Sequence, residues 1–239
     1  MELRVMPQPS LIAIDGAAGT GKSTLGALLA QRLGYLYFDT GVMYRAVTLV
    51  AVQQKLDCTD STRMENLAHE VAIDVVPPTM EDGRQYTVLV NGTDVTWDIR
   101  SPNVEQHVSL VSRHPGVRAE LIRQQRLIGQ RGKVVMVGRD IGTVVMPDAP
   151  LKIYLTTSLE ERARRRYAEA QAKPDSASPS LEHIQADLAR RDKLDSHVLQ
   201  PARDALLLQT DTLSPAASAD WVIAQFAARE HKSLSVAWD

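Results

Sequence analysis

Cysteine is almost missing: Cys58 is the only one among 239 residues. One thiol can neither close an intrachain disulfide nor build a zinc cluster. A reducing compartment fits this, and the cytoplasm is the expected location. Aromatic residues make up only 5 %, with two Phe, so the core must rest on aliphatic side chains. No apolar run approaches the roughly 20 residues that span a bilayer. Met1 to Ser10 holds two prolines and no long apolar stretch, and neither a signal peptide nor a membrane span is expected. The net charge of −2 gives no electrostatic reason to bind nucleic acid or an anionic membrane. His69, His107, His114, His183, His197 and His231 show no metal-ligand spacing. Lysine is also scarce, seven of 27 basic residues, which leaves 20 arginines. A planar guanidinium grips phosphate with two parallel hydrogen bonds, as lysine cannot. The base composition of the coding DNA accounts for such a bias equally well.

Hydrophobic residues at 44 % suffice for a sizeable core, and the length suits one α/β domain with an insert or small lobe. Leu11 to Ile14 is a short apolar run, read as a buried strand. Leu25, Leu28, Leu29 and Leu33 fall at helical spacing, and Gly34 stops that helix. Leu36 to Phe38 is a second strand, followed by a helix from Thr40-Gly41 to about Leu56, with Cys58 near its end. Between about Thr62 and Arg113 the pattern changes. Val71 to Val76 and Tyr86 to Val90 read as strands, and Asn91-Gly92 is a hairpin signal. This local antiparallel piece interrupts the β/α alternation and reads as an insert.

Beyond it, a helix is predicted over Pro115 to Gln130 and strands over Val134 to Val137 and Ile153 to Leu155. Then come a basic helix from Glu160 to Ala172, a mobile Ser/Pro/Ala-rich loop over Pro174 to Ser180, and a helix over Leu181 to Arg191. A strand over Leu206 to Gln209 and a helix over Ala216 to Glu230 close the chain, with a loose tail past His231. The expected fold is a three-layer P-loop NTPase with a parallel five-stranded core sheet, an antiparallel insert and a short lid. Residues 1–61 and 114–239 would form the core, with a lid near 162–180, and 62–113 the insert.

Gly16-Ala17-Ala18-Gly19-Thr20-Gly21-Lys22-Ser23 fits GxxxxGK[ST], directly after a predicted strand and before a predicted helix. Such a loop curls its N–H groups around an anion, and the helix N-terminus adds partial positive charge. Gly16 through Thr24 are therefore the candidate ATP-binding segment. Lys22 should reach the β- and γ-phosphates, and Ser23 should ligate Mg²⁺. The guanine-reading segment of a GTPase is not found; Asp192-Lys193-Leu194-Asp195 lacks its first residue type and lies in a helical pattern.

Asp39-Thr40-Gly41-Val42-Met43-Tyr44-Arg45 and Gly138-Arg139-Asp140-Ile141-Gly142-Thr143-Val144-Val145 carry a resemblance that covers about Leu11 to Thr212. Ser109, Val117-Arg118, Glu161-Arg162-Ala163 with Arg165-Arg166, and Arg191-Asp192 with Asp195 extend it. The chain resembles the bacterial cytidylate kinases, which move the γ-phosphoryl of ATP to CMP or dCMP. The resemblance implies that Thr40, Arg45 and Arg139 hold the CMP phosphate. Ser109, Arg118 and Asp140 would read cytosine, and Arg191 and Asp195 would face the sugar and phosphates. Arg162 and Arg166 would lie in the lid over the transferring group; Arg165 falls on another helix face. Lys22, Arg45, Arg139, Arg162 and Arg166 form the candidate catalytic set. The implied partners are ATP, Mg²⁺ and the acceptor nucleotide, with a monomer expected.

Ordinary roles compete for the same residues. Thr40 could cap the next helix, Asp140 could cap the turn after its strand, and the arginines of 160–166 could be a solvated face. Tyr44 reads as packing. Two departures from the family pattern stand out. Val137 replaces an acidic residue often found before Gly-Arg-Asp, which would weaken the hold on Arg139. The segment after Asp195 is about four residues short and lacks a further arginine, for which Arg203 is the candidate substitute. A sugar or shikimate kinase, or a nucleotide-gated switch protein, are the rival readings.

Overall fold

The computed structural model describes residues 10–172 and 179–236, with side chains described as far as Phe226. Its centre is a five-stranded sheet of β1 (Leu11–Gly16), β2 (Leu36–Asp39), β6 (Val134–Val137), β7 (Leu151–Thr156) and β8 (Leu206–Gln209). The strand order is β2-β6-β1-β7-β8 and every pairing is parallel. β1 and β6 are buried along their whole length, as strands covered on both faces must be, which explains the apolar runs Leu11 to Ile14 and Val134 to Val137. Ile14 pairs with Val137 and Gly16 with Leu155, so β1, β6 and β7 end together. Ligands of open parallel sheets bind beyond that carboxyl edge.

Helices α1 (Lys22–Leu33), α2 (Gly41–Gln53), α5 (Pro115–Gly129), α6 (Leu159–Gln171), α7 (Leu181–Asp195) and α8 (Pro215–Val236) lie between and after these strands, except that a short π-helical turn alone separates β6 from β7. Gly34 closes α1 at φ 68, as its position predicted. The fold class matches the expectation, while several bounds differ. α2 stops at Gln53 instead of about Leu56, so Cys58 lies in the following turn, buried. α7 runs four residues past Arg191. α8 is helical to Val236, so the tail expected to be loose past His231 is helix that far. Residues 1–9 and 173–178, on which the N-terminal reading and most of the Ser/Pro/Ala loop fall, lie outside the described residues.

The stretch from 62 to 113 is more helical than its sequence suggested. Alongside a three-stranded antiparallel sheet, β3 (Ile73–Val76), β4 (Thr87–Val90) and β5 (Thr93–Asp94), stand α3 (Ser61–Glu70) and α4 (Pro102–Val111). Asn91 (φ 50) and Gly92 (φ 82) make the predicted two-residue turn. α3 starts where Asp60 accepts the Arg63 N–H at 3.0 Å, and it buries Met64, Leu67 and Ala68. α4 starts with Pro102 at its first turn and buries Val104 and Val111. Arg84, almost buried, ties the sheet by binding Asp82 (2.7 Å) and Asp94 (2.5 Å).

Candidate active site

The loop after β1 is built by backbone permission. Gly16 has φ +146, and a Cβ there would stand 2.6 Å from the Leu155 carbonyl oxygen, so only glycine fits. Gly21, at φ 91, turns the chain into α1. Lys22 donates its Nζ hydrogen to the Ala17 carbonyl at 2.5 Å, arching over the loop it serves. Lys22 as a residue is half-buried. Burial, then the Arg139 charge, pull its pKa down to about 7.

Directly before the loop sits a carboxylate with no assigned part in the sequence reading. Asp15 is 5 % exposed and accepts the backbone N–H groups of Ile141 (2.8 Å) and Gly142 (2.7 Å). It thereby fixes the π-helical turn Ile141–Val145 that follows Asp140. Burial pushes its pKa up to about 6, against the lowering effect of the two N–H groups. The readable signal was a lone acid ending an otherwise apolar strand.

A single cleft of about 2180 Å³ opens beyond the sheet edge. That exceeds the usual few hundred to about 1,000 Å³ of a one-ligand pocket, so two nucleotides have room. Ala18 through Thr24 line it, whereas Gly16 and Ala17 do not. Thr40, Arg45, Ser109, Arg118, Arg139, Asp140, Arg191 and Asp195 all line the same cleft. Residues up to 155 positions apart therefore converge as the spacing-independent motifs required. Arg118 meets Asp140 at 2.7 Å, and Arg45 meets Glu105 at 2.7 Å. Arg139 and Asp195 are in ionic contact at 2.5 Å but out of line for a hydrogen bond.

The ordinary alternatives for two residues fail. Thr40 makes no side-chain cap; its hydroxyl donates to the Val137 carbonyl at 3.1 Å, and Asp39 accepts the Gly41 N–H instead. Asp140 makes no side-chain cap either. Val137 is buried, and Arg139 takes its carboxylate partner from Asp195 rather than from a neighbour in β6.

The basic helix α6 corrects the expectation for Arg162. Its guanidinium lies under the glycine loop, not over the cleft. It donates to the Ala18 carbonyl (3.1 Å) and in bidentate fashion to Asp192 (3.0 and 2.6 Å). The reason is packing: the Arg162–Ala163 face of α6 is the one buried against α7. Arg166 lines the cleft, and so does Arg165. Arg165 binds Glu161 at 2.8 Å and the Thr210 carbonyl, close to Gly21. Arg203 stands exposed outside the cleft, whereas His197 lines it, so Arg203 does not fill the place of the missing arginine.

Ser23 is exposed in the cleft beside Lys22. Among the described residues no group of three His, Cys, Asp or Glu side chains is gathered for a metal. One hydroxyl in an open cleft fits a hard cation held largely by phosphate oxygens.

The sequence pattern that defines the cytidylate kinases matches residues 12–228. The chain belongs to the cytidylate kinase family. It is similar to the cytidylate kinase of Chloroflexus aggregans, 61 % identical over 221 residues, 92 % of this chain and 95 % of that one. It is also similar to the cytidylate kinase of Roseiflexus castenholzii, 54 % identical over 225 residues, 94 % and 96 % of the two chains. Among solved structures, an uncharacterized protein from Eubacterium ventriosum shares the fold, with TM-score 0.50 and 11 % identity over 92 % of this chain and 99 % of that one. Family membership makes the chain a nucleotide-directed phosphotransferase. No helix among the described residues is long and apolar enough to cross a membrane.

Proposed function

We propose that the chain transfers the γ-phosphoryl of ATP to CMP or dCMP, giving CDP or dCDP and ADP, with its two substrates side by side in the cleft. The reading rests on one observation above others: the glycine loop and eight separate acceptor-side residues line one cavity. Residues 62–113 act as the acceptor-binding insert. A monomer in the cytoplasm is part of the same reading.

Phosphoryl transfer leaves little covalent work for the protein; aim and charge neutralisation dominate. The loop N–H groups and Lys22 hold the donor phosphates. Ser23 would hold Mg²⁺ together with those phosphates, and the ion would supply neutralisation of the donor's negative charge. Arg45 and Arg139 grip the acceptor phosphate and point its oxygen at the γ-phosphorus, and the Thr40 hydroxyl joins them by turning its hydrogen from the Val137 carbonyl. Arg166 and Arg165 face the donor side and offset charge on the group in flight. No general base is needed, because a phosphate monoester is already largely deprotonated near neutrality.

Cytosine presents an N4 amino donor beside the N3 and O2 acceptors. Asp140 accepts from N4, while Arg118 and Ser109 donate to the ring acceptors. Uracil reverses two of these groups, leaving a carboxylate against a carbonyl and a guanidinium against an N–H. Arg191 and Asp195 stand towards the sugar and phosphates. Closure of the lid and insert excludes water, so that ATP is not hydrolysed instead.

A coupled ADP-release assay over a panel of acceptors tests the reading. Turnover with CMP and dCMP, and hardly any with UMP, AMP or shikimate, is the expected result. Comparable turnover with shikimate or a sugar, or slow hydrolysis indifferent to acceptor, refutes it.

A further inference from the structure

Three acceptor-side arginines each touch a carboxylate: Arg118 with Asp140, Arg139 with Asp195 and Arg45 with Glu105. Asp140 and Asp195 already have tasks towards the acceptor. Glu105 has none. It sits on α4 one helical turn before Ser109, so both belong to the helix face that lines the cleft. Its carboxylate meets Arg45 Nη2 at 2.7 Å, and its side chain is 54 % exposed against 29 % for Arg45. The pair thus sits at the cleft wall with solvent access. Among the described residues it is the one ion pair joining α2 to α4.

A guanidinium offers a limited fork of donors, and a carboxylate on it takes the place where a phosphate would make its own parallel bonds. A phosphate dianion brings more charge and three oxygens, so it can displace the carboxylate; an unphosphorylated nucleoside cannot. Arg100 and Arg113 also line this cleft.

We propose that Glu105 is an affinity-setting residue of the acceptor site: an internal carboxylate that occupies Arg45 until the acceptor's phosphate displaces it. It keeps acceptor binding weaker than the bare arginines would give, and it re-pairs with Arg45 as the phosphorylated product leaves. This rests on the reading that Arg45 grips the acceptor phosphate.

The test compares wild type with Glu105→Gln, a nearly isosteric change on a solvent-reached side chain. At saturating ATP the variant's KM for CMP should fall roughly two- to fivefold, the worth of a partly exposed ion pair. Cytidine, measured as a competitive inhibitor against CMP, lacks the phosphate, and its inhibition constant should stay within experimental error. On an Arg45→Ala background, Glu105→Gln should no longer lower KM. An unchanged or raised KM for CMP, in an enzyme whose wild type turns over CMP, overturns the inference alone. A cytidine constant that falls in step with KM does the same, since it marks a general reshaping of the site. A wild type that does not phosphorylate CMP overturns the proposed function and this inference together.

Discussion

Arg118, on α5, and Asp140, beyond β6, hold one another at 2.7 Å across the acceptor side of the cleft. Each fixes the other's orientation, which under the proposed function sets a donor and an acceptor side by side for a base that carries both. Replacing Arg118 by Met removes a donor and leaves the Asp140 carboxylate without its partner. Hydrogen bonds to charged groups contribute about 1.5–3 kcal/mol, so kcat/KM for CMP should fall by roughly 10- to 150-fold. The KM for ATP should hardly move. Steady-state kinetics with each substrate varied in turn check this.

The lowered pKa of Lys22, about 7, makes donor binding proton-linked. Above pH 7 the empty loop holds a largely neutral lysine. The phosphates of ATP favour its charged form and draw a proton in. The complex then binds more protons than the free protein, so ATP affinity should decline as pH rises above 7. Calorimetric titrations of ATP at pH 8, in buffers of different ionisation enthalpy, should show uptake approaching one proton. Lys22→Met should abolish it.

Asp15 gives a stability prediction of opposite origin. Its native pKa of about 6 lies above its ordinary 3.8, so between those values the folded state keeps a proton that the unfolded chain gives up. Stability must therefore fall as pH rises from about 4 to 6, and the cost is complete above that. The contribution is at most about 3 kcal/mol. Urea unfolding at pH 4 and pH 7 checks it: Asp15→Asn should remove this part of the difference, even though its amide fits the Ile141 and Gly142 N–H groups less well.

Arg162 should matter to the fold more than to chemistry. Its bidentate pair with Asp192 and its bond to the Ala18 carbonyl join α6, α7 and the glycine loop. Arg162→Met leaves Asp192 unpaired, at a cost of about 2 kcal/mol for a partly buried pair, below the full-burial figure. Thermal unfolding should show a Tm lower by several degrees. An Arg166→Met variant should instead keep its Tm and lose turnover.

Much of this was legible because the deciding residues lie in contiguous motifs. The glycine loop, Asp39 to Arg45 and Gly138 to Val145 each sit at the end of an apolar strand, and the parallel sheet brings those ends together. The central strands β1 and β6 were readable because burial on two faces leaves apolar runs, while the edge strands β2 and β8 were readable from short apolar runs that are only partly buried. The missed features depend on tertiary contacts. α3 and α4 carry apolar residues at helical spacing, Met64-Leu67-Ala68 and Val104-Val111, which the hairpin signals around them obscured. Helical phase alone separates Arg162 from Arg165 but does not say which face meets the loop; packing of α6 on α7 settles that. Asp15 and Glu105 owe their importance to partners 126 and 60 positions away, which no local pattern announces.

The central claim is that Asp140 and its neighbours read cytosine in a cleft shared with the ATP loop. The ratio of kcat/KM for CMP over UMP, measured for wild type and Asp140→Ala, tests it most directly. Wild type should prefer CMP by orders of magnitude, up to about 10⁴-fold, and the variant should lose most of that preference while its KM for ATP stays near wild type. Full preference for CMP in the variant would contradict the account.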